Sequence, residues 1–354
     1  DSNFMEKIRD PIHGFIYLND HEKRIIDTAA FQRLRRIHQL ALTYLIYPGA
    51  EHNRFAHSLG VMHLATEVLH SLERNSAEYQ KLNDAEKEHL KQVLRLYALL
   101  HDLGHGPFSH AGDNVFPDNT NHEEFSKRLI METEIGEIIQ EIGDEFAKKY
   151  GEDYKITPKL IGQLIVGETE PKYFLLKQIM NSEADVDKMD YLLRDSYYCG
   201  VAYGKYDLPR LLESITAIRE GPSLKLAIKF GGLHAFEAFV LARYWMFHQV
   251  YFHRTRRIYD YYLQNFFRNL GGIPKNLNEF LKIDDYYMWG LLLDNKETNY
   301  WAKAILERKI WKVVFESKPH SSESEAVEFR LIDRQLKVHF TEDAYVLDHA
   351  KKAP

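Results

Sequence analysis

The segment HDLGHGPFSH, residues 101–110, packs three histidines and an aspartate into ten positions. Its first two residues, His101 and Asp102, close an apolar helical run. Neighbouring helical residues diverge by about 100°, yet at a helix end both side chains can turn toward one ion. An imidazole and a carboxylate are half of a divalent-metal site. Taken alone, such a dipeptide reads as a helix-end aspartate beside a partly buried histidine. Two other segments change that reading. In HNRFAHSLG, residues 52–60, Arg54 and His57 share one face of an otherwise apolar helix. Burying them unpaired costs about 1–3 kcal/mol or more for a charged group, so a metal or an anion would satisfy them. In ADVDKMDYLLRDSYYCG, residues 184–200, Asp187, Asp190, Tyr191, Arg194 and Asp195 recur on one side of a helix. Val186, Met189 and Leu193 form the other side, and by itself that stripe is an ordinary solvated amphipathic face.

The elements that must position these residues are mostly helices. Phe55, Leu59, Met62, Ala65, Leu69 and Leu72 recur at three- and four-residue steps, which predicts one buried helix face. Val93, Leu96, Tyr97 and Leu100 predict a second helix that Gly104 stops. Asn121 and Thr157-Pro158 are helix starts, with Glu124 at the capping-box position. Residues 75–88 are polar and expected to form an exposed connection. Phe236 to Phe267 reads as one or two aromatic-rich helices. HGFIYL near the beginning predicts a short strand or hairpin. The character changes at Gly271-Gly272-Ile273-Pro274, a loop signal. Beyond it, a helix is expected over Tyr300 to Ile310 and a mobile polar loop over 317–325. The alternation in VEFRLIDRQLKVHF, residues 327–340, predicts strands. The expected organisation is a mainly α protein, with a helical core over residues 1–270 and a small α+β region over 271–354.

Composition excludes several classes. Asp plus Glu is 52 against 46 Lys plus Arg, a formal charge of −6, unlike the basic surplus of a dedicated nucleic-acid binder. One cysteine, Cys199, permits neither an intrachain disulfide nor a cysteine-ligated zinc site. DSNFMEKIRD lacks a signal-peptide apolar core, and no uninterrupted apolar run approaches about 18 residues. The expectation is a cytoplasmic protein without a membrane partner. No GxGxxG, P-loop or HExxH motif is present, so neither a glycine-rich phosphate cradle nor a zincin site is expected. Histidine, the usual metal ligand and proton shuttle, is abundant at 18 residues.

The ordered set DPIHGFIYL (10–18), IIDTAAFQRLRRIHQL (25–40), YPGAEHNRFAHSLGV (47–61), HDLGHGPFSH (101–110) and DVDKMDYLLRDSYYCG (185–200) resembles the HD-domain phosphohydrolases. Within them it is most similar to the deoxynucleoside triphosphate triphosphohydrolases. The resemblance covers roughly residues 7–270, with ILERKIWKVV (305–314) a weaker echo. It implies an HD-domain helical core and one divalent metal ion (Mn, Fe, Mg, Ni or Zn) on His57, His101, Asp102 and Asp187. It implies that His105, supported by Asp113 and His122, handles a proton. It places Arg54, His110, Lys188 and Tyr191 on the phosphates, Gln39 and Asp195 on the sugar 3′-hydroxyl, and Leu40 against its 2′ edge. His253 matches a further pocket position, whereas Arg257 stands where the best-known relative has a tyrosine.

The implied reaction is hydrolysis of a deoxynucleoside triphosphate (dNTP) to deoxynucleoside and inorganic triphosphate. The alternatives are another HD-type phosphohydrolase, a nucleotidase or phosphodiesterase, or a nucleotide-sensing regulator with little turnover. Asp27, Gln32 and Arg35 match positions that bind an activating guanine nucleotide in that relative, although Arg9 departs from its pattern. Arg24, Arg33 and Arg36 add local positive charge to what otherwise reads as a solvated basic helix face. The implied partners are a dNTP substrate, an activating GTP or dNTP, and copies of the same chain in a dimer or tetramer.

Overall fold

The computed structural model describes residues 6–316, 322–341 and 344–348, without the side chains of residues 112–114. As the periodicity implied, the architecture is mainly α. The central element is the helix Arg54–Asn75. Asn53 caps it by accepting the Ala56 N–H, and the six apolar residues of the predicted stripe are all buried. Val61, Leu64 and Val68 are buried too, so this helix is enclosed on nearly every side. It packs against the helices Asp84–Leu100 and Val186–Cys199.

The polar stretch 75–88 is more ordered than expected. Ser76 caps a short helix, Ala77–Gln80, and Asn83 forms a capping box with Glu86 that starts the Asp84–Leu100 helix. Asn121 and Thr157 cap their helices as read, with Pro158 in the first turn. The aromatic-rich stretch divides into Leu233–Met246 and Arg254–Asn269, joined by the π-helical turn Phe247–Tyr251.

Two antiparallel hairpins are the only sheets among the described residues. Glu6–Asp10 pairs with Gly14–Leu18. Asp10 Oδ1 accepts the Ile12 and His13 N–H groups at the tip, and Gly14 takes the required positive φ of +77°. The second hairpin, Ile215–Glu220 with Ser223–Ile228, was not expected.

The stretch 327–340 corrects a strand expectation. It lies within the helix Glu323–His339, which opens with a Ser322/Glu325 capping box and carries an Asp333–Lys337 pair one turn apart. Of the polar loop expected over 317–325, residues 317–321 lie outside the described residues, and Ser322–Glu325 begin this helix. One contiguous apolar core runs from Ile16 to Ile305. Residues after Gly272, among them Ile273, Phe280, Met288 and Leu292, contribute to it directly.

Candidate active site

The helix Arg54–Asn75 supplies Arg54 and His57 from its first turn. The end of Asp84–Leu100 supplies His101 and Asp102, and the first turn of Val186–Cys199 supplies Asp187. These three helix ends converge. His57 Nε2 lies 2.9 Å from Asp187 Oδ1 and 3.6 Å from Asp102 Oδ2. His101 Nε2 lies 3.3 Å from Asp102 Oδ1 and 3.7 Å from Asp187 Oδ1. His101 Nδ1 is occupied by the Ala98 carbonyl at 2.7 Å. Its Nε2 is buried, makes no hydrogen bond and faces the two carboxylates.

His57, His101 and Asp102 place ligand atoms within 4.8 Å of one another, a donor set suited to a divalent cation, and Asp187 Oδ1 adjoins it through His57 and His101. Electrostatics agree. Burial would push the His57 imidazole down, but hydrogen bonds to Asp187 and Asp190 outweigh it and carry the pKa up to about 10. The surroundings therefore demand positive charge at this point. The chemistry of this histidine–aspartate cluster fits a divalent metal.

A loop after Asp102 brings the remaining histidines to the same place. His105 Nε2 lies 3.3 Å from Asp102 Oδ1. Its ring stacks on His122 with centroids 3.9 Å apart and planes 14° from parallel. His110 meets both rings edge-on. Burial, then the charges of Arg54 and His122, hold His105 well below the ordinary histidine range, which disfavours its protonated form. The side chain of Asp113 lies outside the described residues. Arg54 is buried, pairs with Asp102 Oδ2 and donates from Nε to Ser109 Oγ at 2.8 Å.

Asp190 received no role in the sequence reading beyond its place in the polar stripe, and His13 received none. Asp190 Oδ2 accepts from His57 Nδ1 at 2.7 Å, and Oδ1 pairs with His13 Nε2 at 2.6 Å. Arg194 bonds both Asp190 oxygens and also Asp10. With its Nδ1 engaged by this carboxylate, His57 would turn Nε2 toward a bound cation. The stripe is thus no solvated face, since Asp190, Arg194 and Asp195 are all buried. A polar residue one turn after a ligand was the available signal.

Further along that helix is a second buried polar group. Asp195 accepts from His52 Nε2 at 2.6 Å and from the Tyr251 hydroxyl at 2.7 Å. Gln39 is buried beside His52, whose carbonyl accepts the Gln39 N–H, and its Oε1 makes no hydrogen bond. Leu40 is buried next to it. His52 and Tyr251 were missed; their roles depend on a partner more than fifty residues away. Tyr191 lies between the two groups and meets Tyr251 edge-on at 6.0 Å. Lys188 is held by Asp185 at 2.5 Å and by the Ser182 carbonyl at 2.9 Å. His253 caps the Arg254–Asn269 helix and touches Tyr47. Arg257 bonds Asp348.

Asp27 pairs with Lys23 at the surface. Gln32 and Arg35 bond each other at 2.8 Å, and the Arg35 guanidinium covers the Phe55 ring at 3.7 Å. Arg33 is not part of a surface patch, as its charge suggested. It is fully buried and donates to the carbonyls of His105 and Ile283.

Two family models match the chain: HD domain over residues 54–195 and HD associated region over 206–348. A Bacillus subtilis protein, described as uncharacterized, is 37% identical over 71% of this chain and 53% of its own length. The human deoxynucleoside triphosphate triphosphohydrolase SAMHD1 is 30% identical over 89% of this chain and 56% of its own. The chain spans a little over half the length of these curated relatives. A solved structure of a hypothetical protein from Aquifex aeolicus superposes with a TM-score of 0.79 at 32% identity. It covers 96% of this chain and 83% of that one.

Proposed function

The chain belongs to the HD-domain family, and on that footing we propose that it is a phosphohydrolase that cleaves dNTPs to deoxynucleoside and inorganic triphosphate. The observation that carries the proposal is the stripe Asp187–Tyr191–Asp195. It joins the imidazole–carboxylate cluster to the buried Asp195–His52–Tyr251 group along one helix face. Eight residues of helix at 1.5 Å each separate the two by about 12 Å, a span suited to a phosphate at one end and a sugar hydroxyl at the other.

One divalent cation (Mn, Fe, Mg, Ni or Zn), held by His57, His101, Asp102 and Asp187, supplies Lewis-acid stabilisation of phosphate charge. The side chains do the rest. Arg54, Lys188 and His110 offset the charge of the triphosphate, with Tyr191 beside them. Asp195 accepts the sugar 3′-hydroxyl together with Gln39, and Leu40 leaves a ribose 2′-hydroxyl without a partner. His253 completes the rim. Water adds to the α-phosphorus and gives up a proton, the bond from phosphorus to the 5′-oxygen breaks, and the leaving oxygen takes a proton. His105, stacked on His122 and with Asp113 assigned to the same group, takes the proton from the water and passes it to that oxygen.

Asp27, Gln32 and Arg35 form the site for an activating GTP or dNTP that favours a dimer or tetramer. Arg35 contact with Phe55, the neighbour of Arg54, supports the link to catalysis. No helix among the described residues is long and apolar enough to cross a membrane. The test is incubation of metal-loaded protein with each dNTP, with and without a second nucleotide, and identification of products. Inorganic triphosphate supports the proposal. Pyrophosphate or monophosphate indicates a different phosphohydrolase, and tight binding without product indicates a nucleotide sensor.

A further inference from the structure

The loop that carries His105 and His110 is held in a disfavoured backbone shape. Phe108 and Ser109 have φ of 55° and 52°, a left-handed region that residues with a Cβ rarely adopt. Such a conformation persists only where the surroundings over-determine it. Here the surroundings are specific. The Phe108 N–H donates to Asp285 Oδ1 at 2.6 Å. The other oxygen, Asp285 Oδ2, accepts the His38 N–H at 2.7 Å and pairs with His38 Nδ1 at 2.6 Å. The Asp285 side chain is almost fully buried.

The clamp has further members. Arg33 bridges the His105 carbonyl and the Ile283 carbonyl, at 2.8 and 2.9 Å, with its guanidinium over the Phe280 ring. Arg36 Nε pairs with Asp284. Ser109 Oγ lies between Arg54 Nε and the His38 carbonyl. Residues 283–285 therefore grip two segments at once: the loop bearing His105 and the segment that leads through His38 to Gln39 and Leu40. Asp285 is the hub, because one carboxylate receives donors from both.

We propose that Asp285 is a positioning residue that holds the His105–His110 loop in its working conformation and sets it against the Gln39–Leu40 wall. This rests on the reading of His105 as the proton-handling group. Asp285 touches none of the four metal ligands, so it acts on the catalytic loop without acting on the metal.

The experiment uses the full-length metal-loaded protein and its Asp285→Asn variant. Asparagine keeps one acceptor, but its NH₂ confronts the His38 N–H or the Phe108 N–H, so one of the two links breaks. Losing a hydrogen bond to a buried charged group corresponds to about a ten- to hundredfold effect. The expected result is wild-type metal content, kcat lower by about that factor with KM little changed, and faster amide exchange across residues 105–111. His38→Gln, which leaves the Asp285–Phe108 bond in place, is expected to retain slow exchange there. Wild-type kcat in Asp285→Asn, or a loss that merely follows its folded or metal-bound fraction, overturns the proposal. Should that variant not fold, exchange in the wild type decides. A protected Phe108 amide supports the clamp, and a freely exchanging one overturns it. If the wild type hydrolyses no dNTP, the proposed function fails, while exchange at Phe108 still judges the clamp.

Discussion

Asp190→Asn is the sharpest test of how the metal centre is organised. The Asp190 carboxylate faces donors on both oxygens: His57 Nδ1 at 2.7 Å, His13 Nε2 at 2.6 Å, and Arg194 at 2.9 and 3.0 Å. An asparagine oxygen can serve at most one side of that set. Its NH₂ opposes either His57 or His13, and the charge that offsets Arg194 is halved, with Asp10 left as its carboxylate partner. If the amide turns toward His57, the imidazole must accept at Nδ1. It then carries its proton on Nε2, where the cation would bind. Carboxylates that orient a ligating histidine are worth about 10–100-fold in metal affinity, which corresponds to about 1.4–2.7 kcal/mol at 1.36 kcal/mol per decade. Removing one partner of a buried ion pair adds about 3–5 kcal/mol of destabilisation. The assay is competition against a chelator of known affinity, paired with thermal melting of metal-free and metal-loaded protein. Affinity should fall by one to two decades, with the melting loss present even without metal. An Asp190→Asn protein that binds metal as tightly as wild type, when Asp187→Asn has lost it, would refute the reasoning.

Other perturbations separate roles. His122→Ala should keep metal and fold while turnover drops about 10²–10⁴, the range of a general acid–base group; loss of metal in elemental analysis would instead make it a ligand. Gly60→Ala should lower both stability and metal affinity, because a Cβ there falls 2.0 Å from Asp190 Oδ1 and 2.5 Å from Arg194 Nη2; a melting temperature equal to wild type would contradict the packing. Burial pushes the His38 imidazole down, but bonds to Asp285 and Glu51 more than offset this and raise it above the ordinary range. Its stabilising contribution is then complete below the unfolded value of about 6.5 and declines as pH rises through the higher folded value. The melting deficit of His38→Gln should therefore be largest in mildly acidic buffer and shrink in alkaline buffer. A deficit independent of pH would argue against a charged His38.

What could be read from the sequence was set by distance along the chain. His57, His101 and Asp102 announce themselves because each interrupts an apolar helical pattern near a helix end, where burial needs a partner; Asp187 sits in a stripe that by itself reads as solvated, and it joins the ligand set only through the resemblance to the HD-domain phosphohydrolases. The groups that aim them do not. Asp190 sits in the same stripe as Asp187, but its meaning depends on His13, 177 residues earlier. Asp285 acts on Phe108 across the same number of positions, and local patterning contains nothing of that. Helix existence was legible wherever apolar periodicity was sustained, as over Arg54–Asn75. It failed where short windows are ambiguous. Val327, Phe329 and Leu331 alternate as a strand would, yet Phe329, Ile332 and Leu336 also keep helical spacing, and the Ser322/Glu325 cap decides for helix. The Ile215–Ile228 hairpin turns at Gly221, whose positive φ of +58° closes the pair; Gly221-Pro222 was its available signal.

The central claim is attack at the α-phosphorus of a dNTP with departure of the 5′-oxygen, and hydrolysis in ¹⁸O-labelled water tests it most directly. The metal-loaded protein should release unlabelled deoxynucleoside and inorganic triphosphate carrying one ¹⁸O, seen by mass spectrometry. Pyrophosphate with labelled monophosphate, or ¹⁸O in the deoxynucleoside, would contradict the account.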